Sequence, residues 1–399
     1  MTAEPSLLEL GWARGMTDPA WIRRQVTAQR ELLPTRQIWR GTQPPRVLPA
    51  ALVDLDELPI SLPHGRTQPL REVLAAAETD AIAVVHRGRL VYERYLHGYQ
   101  PHNPHFNASA SKSYLGLLAA ILIHQGKLER GAEVAHIVPE LAGTAFGEAT
   151  VDHLLHMGTL MSYAGRPYDK ELEAQRFFAL LAPRLRLQAH QSPNTILEHL
   201  ATARPTGEPG SEFRYENGNV EALAEVLRRT TGTTISALMS ELLWSRIGAE
   251  QDAYYVLDAA GAEAASGGLS ATLRDVARLG DVLCHGGAAG GEQIVPERVV
   301  AGITGDVPEG PARRVRSVRT PNAQASMSYH DYWWLPNDPF GSFTANGIHG
   351  QRLFVSPALD LVVVHYGAHV MSPSVPVPPF IQTFLQIGVH LNDLPPMRP

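Results

Sequence analysis

Two stretches in which runs of apolar, largely β-branched residues are interrupted by a turn, one in the first quarter of the chain and one near its C-terminus, predict β-hairpins. The first is AIAVVHRGRLVYERYLHGY (81–99), which turns at Arg87-Gly88, and the second is RLFVSPALDLVVVHYG (352–367), which turns at Ser356-Pro357. Between the hairpins, apolar residues recur mostly at helical spacing. Helices are predicted at 19–32, 112–126, 151–156, 196–202, 220–230, 235–247 and 273–283, and a last helix follows Pro378-Pro379.

This order of elements predicts an α+β fold. Strands near both ends favour an antiparallel sheet that the two chain ends complete, flanked by helices and with a large inserted helical region. We expect a proline-rich N-terminal arm over residues 1–70, a sheet region over 71–108 plus 290–399, and a mainly helical region over 109–289. Thr272, three residues before Asp275, is expected to cap the helix that follows it.

Composition narrows the classes of function. Apolar residues make up 44% of the 399, which can supply a substantial core. The formal charge of −6 is mild and no long basic stretch is present, so nucleic-acid binding has no electrostatic support. A single cysteine, Cys284, excludes an intramolecular disulfide and any cysteine-rich metal site. His153 and His156 share a helical face, but we expect ordinary core or surface histidines there, and no metal or cofactor.

The chain is expected to be cytoplasmic and to have no membrane partner. Its N-terminal segment lacks the basic start, the apolar middle and the cleavage site of a secretory signal. The longest apolar run, residues 114–123, is about half of the ~20 residues that span a bilayer, so it predicts a buried helix. The sequence leaves the oligomeric state open, including a homodimer.

A lysine stands where this chain normally uses arginine. Only three of the 34 basic residues are lysines, and one of them, Lys112, follows Ser109 at the predicted start of an apolar helix. Residues three apart share a helical face, so the amine can reach the hydroxyl. A serine needs a neighbouring base to become a nucleophile, and an amine can be that base, whereas a guanidinium stays protonated. The alternative interpretation is a capping serine beside a surface lysine.

A second motif is Tyr215-Glu216-Asn217, which follows a Gly/Pro turn and precedes a helical run. A tyrosine at this place can point its hydroxyl into a cleft. Beside the Lys112 cation, the pKa of Tyr215 should fall, and the tyrosine could then serve as a general base. The alternative is a core tyrosine followed by a turn asparagine.

A third motif lies at the start of the second predicted hairpin, where Gly347 and Gly350 bracket Ile348 and His349. Glycine in a strand often marks close approach of the backbone to a ligand. If this strand borders the cleft, the amides of Ile348 and Ser109 would form an oxyanion hole. The alternative is a bulge in an edge strand.

Together, the Ser-x-x-Lys motif, the later Tyr-x-Asn motif and the glycine-containing strand resemble the serine β-lactamase and penicillin-binding-protein superfamily, in its class C and esterase-like branch. Within it, the chain most resembles the 6-aminohexanoate-dimer hydrolases, which cleave nylon oligomers. The matching segments are TDAIAVVHRGRLVYERYLHGY, SASKS, VPELAG, SGGLSATLRDVARLG and GIHGQRLFVSP, and they cover about residues 79–365. The resemblance implies a β-lactamase-like fold and a serine amidase or esterase without metal.

The resemblance also implies catalytic roles. Ser109 would be the nucleophile, Lys112 its proton partner, and Tyr215 the general base and later the general acid. The amides of Ser109 and Ile348 would bind the oxyanion. These assignments make acyl-enzyme hydrolysis the leading hypothesis, with a small-molecule amide or ester as the substrate.

Further residues would contact the substrate or support the catalytic groups. Asn217 would orient Lys112 and the substrate, although the nylon-oligomer hydrolases have serine at that position. Ser266 and His349 lie in the matching segments and would contact the substrate or lie directly behind the catalytic residues. The substrate-closing tyrosine of those hydrolases corresponds to Tyr168, with Tyr163 as second choice.

One segment of the sequence differs from the superfamily in a way that affects the expected activity on β-lactams. Ala345-Asn346-Gly347 stands where lactamases carry Lys-Thr-Gly, so the cation suited to a β-lactam carboxylate is missing there. We therefore expect weak or absent β-lactamase activity, unless an arginine such as Arg352 compensates.

The remaining alternatives concern substrate and chemistry. Linear amides of the 6-aminohexanoate type are one expected substrate class. A carboxylesterase or an acyltransferase acting on small acyl esters would use the same residues, and a non-catalytic binding protein would keep the cleft without the reaction. The sequence does not identify the natural substrate.

Overall fold

The computed structural model describes residues 18–163, 180–181, 193–306, 308–311, 327–370 and 377–394. Its strands are β1 (Thr35–Ile38), β2 (Pro59–Ser61), β3 (Thr67–Pro69), β4 (Thr79–His86), β5 (Arg89–Tyr95), β6 (His105–Phe106), β7 (Met161–Tyr163), β8 (Ala203–Pro205), β9 (Ala253–Val256), β10 (Leu269–Ala271), β11 (Ala288–Ala289), β12 (Glu292–Gln293), β13 (Ser328–His330), β14 (Trp333–Leu335), β15 (Phe343–Asn346), β16 (Arg352–Ser356) and β17 (Leu361–Gly367). Its α-helices are α1 (Pro19–Thr27), α2 (Gln29–Leu32), α3 (Leu70–Ala76), α4 (Ser111–His124), α5 (Val134–Ile137), α6 (Val151–Leu155), α7 (Ile196–Leu200), α8 (Asn217–Thr231), α9 (Ile235–Met239), α10 (Leu273–Cys284), α11 (Glu297–Gly305) and α12 (Phe380–Asp393).

A seven-stranded antiparallel sheet forms the centre of the fold. Its strand order is β13-β14-β15-β16-β17-β4-β5. Both predicted hairpins are present, because β4 pairs with β5 and β16 with β17, and β17 also pairs with β4. The two chain ends therefore complete one sheet around an inserted helical region, and the predicted α+β class is confirmed.

Strand β4 shows why this sheet lies between two layers. Alternate residues Ala81, Ala83 and Val85 face the core that contains α4, while Ile82 and Val84 face the core that contains α12. Successive side chains of a strand point to opposite faces, so an almost continuous apolar run fits a strand buried on both sides. On the first face α10 approaches closely, since a Cβ on Gly280 would lie 2.5 Å from a methyl of Val362.

A smaller four-stranded sheet, with order β1-β9-β10-β6, lies beside the helical region. Strand β1 was not predicted, because its four residues fall in a proline-rich stretch without a clear apolar period. The predicted first helix is divided at Ala28 into α1 and α2. The predicted boundaries of the three parts remain a prediction.

The helical region follows the predicted segments with shifts at their ends. Thr272 caps α10 as expected, accepting a hydrogen bond from the amide of Asp275. Helix α8 begins earlier than predicted, at Asn217, and the segment after α9 continues as a π-turn over Ser240–Trp244. Within the described ranges, every helix is too short or too polar to cross a membrane.

Candidate active site

Ser109 lies in a tight turn that leads from β6 into α4. The turn covers Ala108–Ala110, and Ala108 has a φ of +48°, a left-handed backbone that costs energy in a residue other than glycine. The hydroxyl of Ser111 donates a 2.6 Å hydrogen bond back to the carbonyl of Ala108 and holds the turn. Both neighbours of Ser109 are buried, but Ser109 itself is partly exposed, so its hydroxyl can meet a ligand.

Lys112 stands one helical turn after Ser109, as the spacing predicted. Its side chain is 1% exposed. The Nζ atom lies 3.0 Å from the hydroxyl of Ser109 and 2.6 Å from the carbonyl oxygen of Ser266. The surface-lysine alternative is therefore wrong, because the amine is buried against the serine.

Tyr215 is the third member of this group. Its hydroxyl shares a hydrogen bond with Ser109, and the Lys112 amine lies 5.2 Å from the centre of its ring. The ring also packs against Tyr329 and Trp334, whose ring centres lie 6.1 and 5.6 Å away. Although 106 residues separate it from Ser109 in sequence, the fold brings the two hydroxyls together.

The expected fall in the pKa of Tyr215 is wrong in direction. Burial raises the pKa of Tyr215 to about 12, even though the hydrogen bond with Ser109 and the positive charge of Arg352 lower it. An ionised phenol loses its hydration when protein surrounds it, and here that loss outweighs the neighbouring charge. Tyr215 is therefore protonated at neutral pH.

Glu216, the middle residue of the Tyr-x-Asn motif, fixes the start of α8. Its carboxylate accepts a 3.2 Å hydrogen bond from the amide of Gly218 and lies 3.3 Å from the hydroxyl of Tyr163. Tyr163 is 1% exposed and its ring stacks on His199. Tyr163 therefore acts as core support for the motif, whereas Tyr168 lies outside the described residues.

The glycine-containing segment approaches the turn before Ser109 very closely. A Cβ on Gly347 would lie 2.4 Å from the carbonyl oxygen of Asn107 and 3.2 Å from the Cβ of Ala108. Only glycine fits there without moving the backbone. This contact brings the segment that carries the Ile348 amide against the segment that carries Ser109.

His349 and Arg352 support the turn that follows Gly347. His349 has a φ of +63° and donates from Nδ1 to the carbonyl of His369 at 2.9 Å, and burial lowers the pKa of His349 to about 4. Arg352 donates from one nitrogen to the carbonyls of Gly347 (2.5 Å) and Gln351 (2.7 Å). Burial lowers the pKa of Arg352 to about 10, still well above neutral.

The remaining predicted residues lie around this group. Ser266 contacts Lys112 through its backbone carbonyl. Asn217 is the first residue of α8 and is partly exposed. Sequence reasoning missed Glu221, a carboxylate on α8 that accepts a 2.7 Å hydrogen bond from the amide of Ser266. An acidic residue on an apolar helical face was the available signal.

The structure also brings together a buried histidine pair that the sequence did not show. His156 lies 2.9 Å from His330, and the ring of His153 accepts a hydrogen bond from the amide of Thr150. His156, His330 and Asp331 offer ligand atoms within 4.8 Å of one another. However, Arg130 already holds the Asp331 carboxylate through two hydrogen bonds, of 2.9 and 2.5 Å. We therefore interpret the group as a structural hydrogen-bond network.

Comparison with known proteins shows the family to which the chain belongs. The β-lactamase family model matches residues 70–368. The chain belongs to the β-lactamase family. It is 31% identical to the 6-aminohexanoate-dimer hydrolase of Paenarthrobacter ureafaciens over 334 residues, which cover 84% of this chain and 82% of that protein.

Solved structures extend the family relationship. A protein from Bacillus anthracis, named as a candidate 6-aminohexanoate-dimer hydrolase, is 32% identical with a TM-score of 0.85, and the match covers 99% of this chain and 100% of that one. A penicillin-binding-protein homologue from Caulobacter crescentus is 18% identical with a TM-score of 0.59, over 82% of this chain and 96% of that one, and shows the shared fold alone. The protein is a β-lactamase-fold hydrolase.

Proposed function

We propose that this protein is a serine hydrolase that opens amide or ester bonds of small molecules through an acyl-enzyme on Ser109. The observation that carries the proposal is the convergence of Lys112 and Tyr215 on the Ser109 hydroxyl, at 3.0 Å from the amine and within a hydrogen bond of the phenol. A serine hydroxyl with a neighbouring base is an activated nucleophile. The partly exposed position of Ser109 in a strained turn leaves it open to a carbonyl group.

In the proposed reaction, Ser109 attacks the carbonyl carbon and its proton passes to Lys112. The amides of Ser109 and Ile348 hold the oxyanion of the tetrahedral intermediate, an interaction worth several kcal/mol in enzymes. Tyr215, which is protonated at neutral pH, gives its proton to the leaving amine or alcohol as the acyl-enzyme forms. Water then attacks the ester of Ser109 and gives a proton to Tyr215, while Lys112 returns its proton to the Ser109 oxygen. The free acid leaves.

Linear amides of the 6-aminohexanoate type are the proposed substrates, because two relatives above 30% identity are named for that dimer. Asn217 and Tyr168 belong to the proposed substrate contacts, and we propose a cytoplasmic location. The segment Ala345-Asn346-Gly347 offers no lysine to a β-lactam carboxylate, so turnover of nitrocefin should be far below that of esters. Nitrocefin turnover near that of efficient lactamases would contradict this expectation.

The deciding experiment compares the wild type with Ser109→Ala in hydrolysis of p-nitrophenyl butyrate and of the linear 6-aminohexanoate dimer. We expect at least a ~100-fold loss of activity in a variant that keeps the wild-type circular dichroism spectrum. Equal activity in both proteins would exclude Ser109 as the nucleophile. Product analysis with an added alcohol or amine tells whether the acyl group passes to water or to another acceptor.

A further inference from the structure

Glu221 is a buried carboxylate for which the proposed reaction has no direct use. It lies on α8, six residues after Tyr215, and its side chain is fully buried. It accepts hydrogen bonds from two successive amides, those of Ala265 (3.1 Å) and Ser266 (2.7 Å). The positive charge of Arg228 acts on it, but in the described ranges Arg228 forms its ion pairs with Glu225 and Glu263 and not with Glu221. Burying a carboxylate without a directly paired cation is costly, so the position calls for an explanation.

The segment that Glu221 holds is the one that contacts the candidate catalytic lysine. Ser266 donates its amide to Glu221 and offers its own carbonyl oxygen to the Nζ of Lys112 at 2.6 Å. Lys112 in turn lies 3.0 Å from the hydroxyl of Ser109. Three hydrogen bonds and one residue of backbone therefore connect the carboxylate on α8 to the proposed nucleophile on the turn before α4.

We infer that Glu221 is a positioning residue for Lys112: it fixes the Ser266 carbonyl against the amine, and in its ionised form it favours the protonated form of the lysine. The inference rests on the proposed function. It predicts that the charge of Glu221 affects how readily Lys112 exchanges a proton with Ser109. A merely structural tie between α8 and the 264–268 segment would affect stability alone.

Burial raises the pKa of Glu221, whereas the hydrogen bonds from Ser266, the positive charge of Arg228 and the amide of Ala265 lower it. The two amide donors therefore favour the ionised carboxylate, which is the form that acts on Lys112. The Glu221→Gln substitution keeps the shape and one acceptor oxygen but removes the charge. Without that charge, the Lys112 ammonium gives up its proton more readily, so the base form is reached at lower pH.

The chain provides a matched control on the same helix. Glu225 lies one turn further along α8 and is held by Arg228 (2.9 Å) and Arg229 (2.7 Å). Glu225→Gln removes a carboxylate from α8 and leaves the Ser266 and Lys112 contacts untouched. A general effect of lost charge or lost helix stability would appear in both variants.

The test measures the rate at which a fluorophosphonate probe modifies Ser109 at pH values between 5 and 10. The modification is detected as an increase in the mass of the intact protein, and the thermal unfolding of each variant is measured as well. This readout reports nucleophile activation without depending on the natural substrate. In Glu221→Gln, we expect the acid limb of the profile to move down by about one pH unit. The plateau rate should fall at least ~10-fold, while Glu225→Gln keeps the wild-type profile.

The outcomes separate the inference from the proposed function. If the probe does not modify Ser109 in the wild type, the proposed function fails and the inference fails with it. If Ser109 is modified and folded Glu221→Gln matches the wild type, or both variants change alike, the inference alone is overturned. Should Glu221→Gln not fold, Glu221→Asp takes its place, because it retains the charge on a shorter side chain. An acid limb at the wild-type pH with a lower plateau rate then supports the inference, and a wild-type plateau rate contradicts it.

Discussion

Replacing Gly347 with alanine would place a methyl group too close to the backbone of the segment that precedes Ser109. The φ of Gly347 is −116°, which any residue adopts, so the effect of the substitution is purely steric. The new Cβ would lie 2.4 Å from the carbonyl oxygen of Asn107 and 2.8 Å from the Cβ of Gln351. Since non-bonded heavy atoms settle near ~3.5 Å, the two segments would have to separate by roughly 1 Å.

That displacement has two expected consequences. Overpacking of this kind typically costs about 1–3 kcal/mol of folding free energy, so the unfolding temperature should fall by a few degrees. The same shift would move the Ile348 amide away from the carbonyl group bound at Ser109. A misplacement of about 1 Å can cost ~100-fold in rate, so we expect a loss of that size in kcat with little change in KM.

The assay is hydrolysis of p-nitrophenyl butyrate together with thermal unfolding, and Gly131→Ala is the control. A Cβ on Gly131 meets nothing within 4 Å, so that variant should match the wild type in both measurements. If Gly347→Ala unfolds at the wild-type temperature and keeps its activity within a few-fold, the close approach does not position the oxyanion donor and the reasoning is refuted.

Three further substitutions test separate parts of the site and the fold. Arg352→Met removes the hydrogen bonds to the carbonyls of Gly347 and Gln351 on either side of the Ile348 amide, so kcat for p-nitrophenyl butyrate should fall at least ~10-fold in a folded variant; an unchanged kcat would show that Arg352 does not position this segment. Tyr215→Phe should slow acylation by an amide far more than acylation by p-nitrophenyl butyrate, followed as the initial burst of p-nitrophenol, because that leaving group needs no proton; equal losses in the acylation step would exclude the proposed acid role. Hydrogen bonds with Asp281 and then Asp360 raise the pKa of His285 to about 10, so the stability it contributes is complete below pH ~6.5 and is lost towards pH 10. Because the side chain is 41% exposed, we expect this contribution to the free energy of unfolding to be only about 1 kcal/mol. The free energy of unfolding in urea should therefore change less between pH 6 and pH 10.5 in His285→Gln than in the wild type, and an equal change in both proteins would contradict this.

The sequence predicted those parts of the fold whose signals are local. Both hairpins consist of short apolar, largely β-branched runs on either side of a turn, and most helices carry a helical period, so their existence could be predicted from the sequence. The start of α8 could not be predicted, because Asn217 and Gly218 are typical turn residues, and the helix begins there with Glu216 as its cap. Strand β1 exists only through pairing with β9, more than 200 residues away.

The candidate site divides in the same way. The contact between Ser109 and Lys112 follows from a spacing of three residues and was predicted. The environment of Tyr215 depends on Tyr329 and Trp334, which follow it in the sequence by more than a hundred residues. The sequence therefore did not show that burial affects the pKa of Tyr215 more than the neighbouring charge does. Glu221 went unnoticed for a similar reason, since its partners lie 44 and 45 residues further along the chain.

The raised pKa of Tyr215 also bears on how the proposed site shares its protons. With a pKa of about 12, only roughly one phenol in 100,000 is ionised at pH 7, so Tyr215 is poorly suited to receive the first proton from Ser109. It is well suited to deliver one to a departing amine. In the proposed reaction Lys112, at 3.0 Å from the same hydroxyl, is then the remaining acceptor, and an arginine would not serve there because a guanidinium holds its proton at neutral pH. The proposed step would therefore account for a lysine at this position in a chain that has only three.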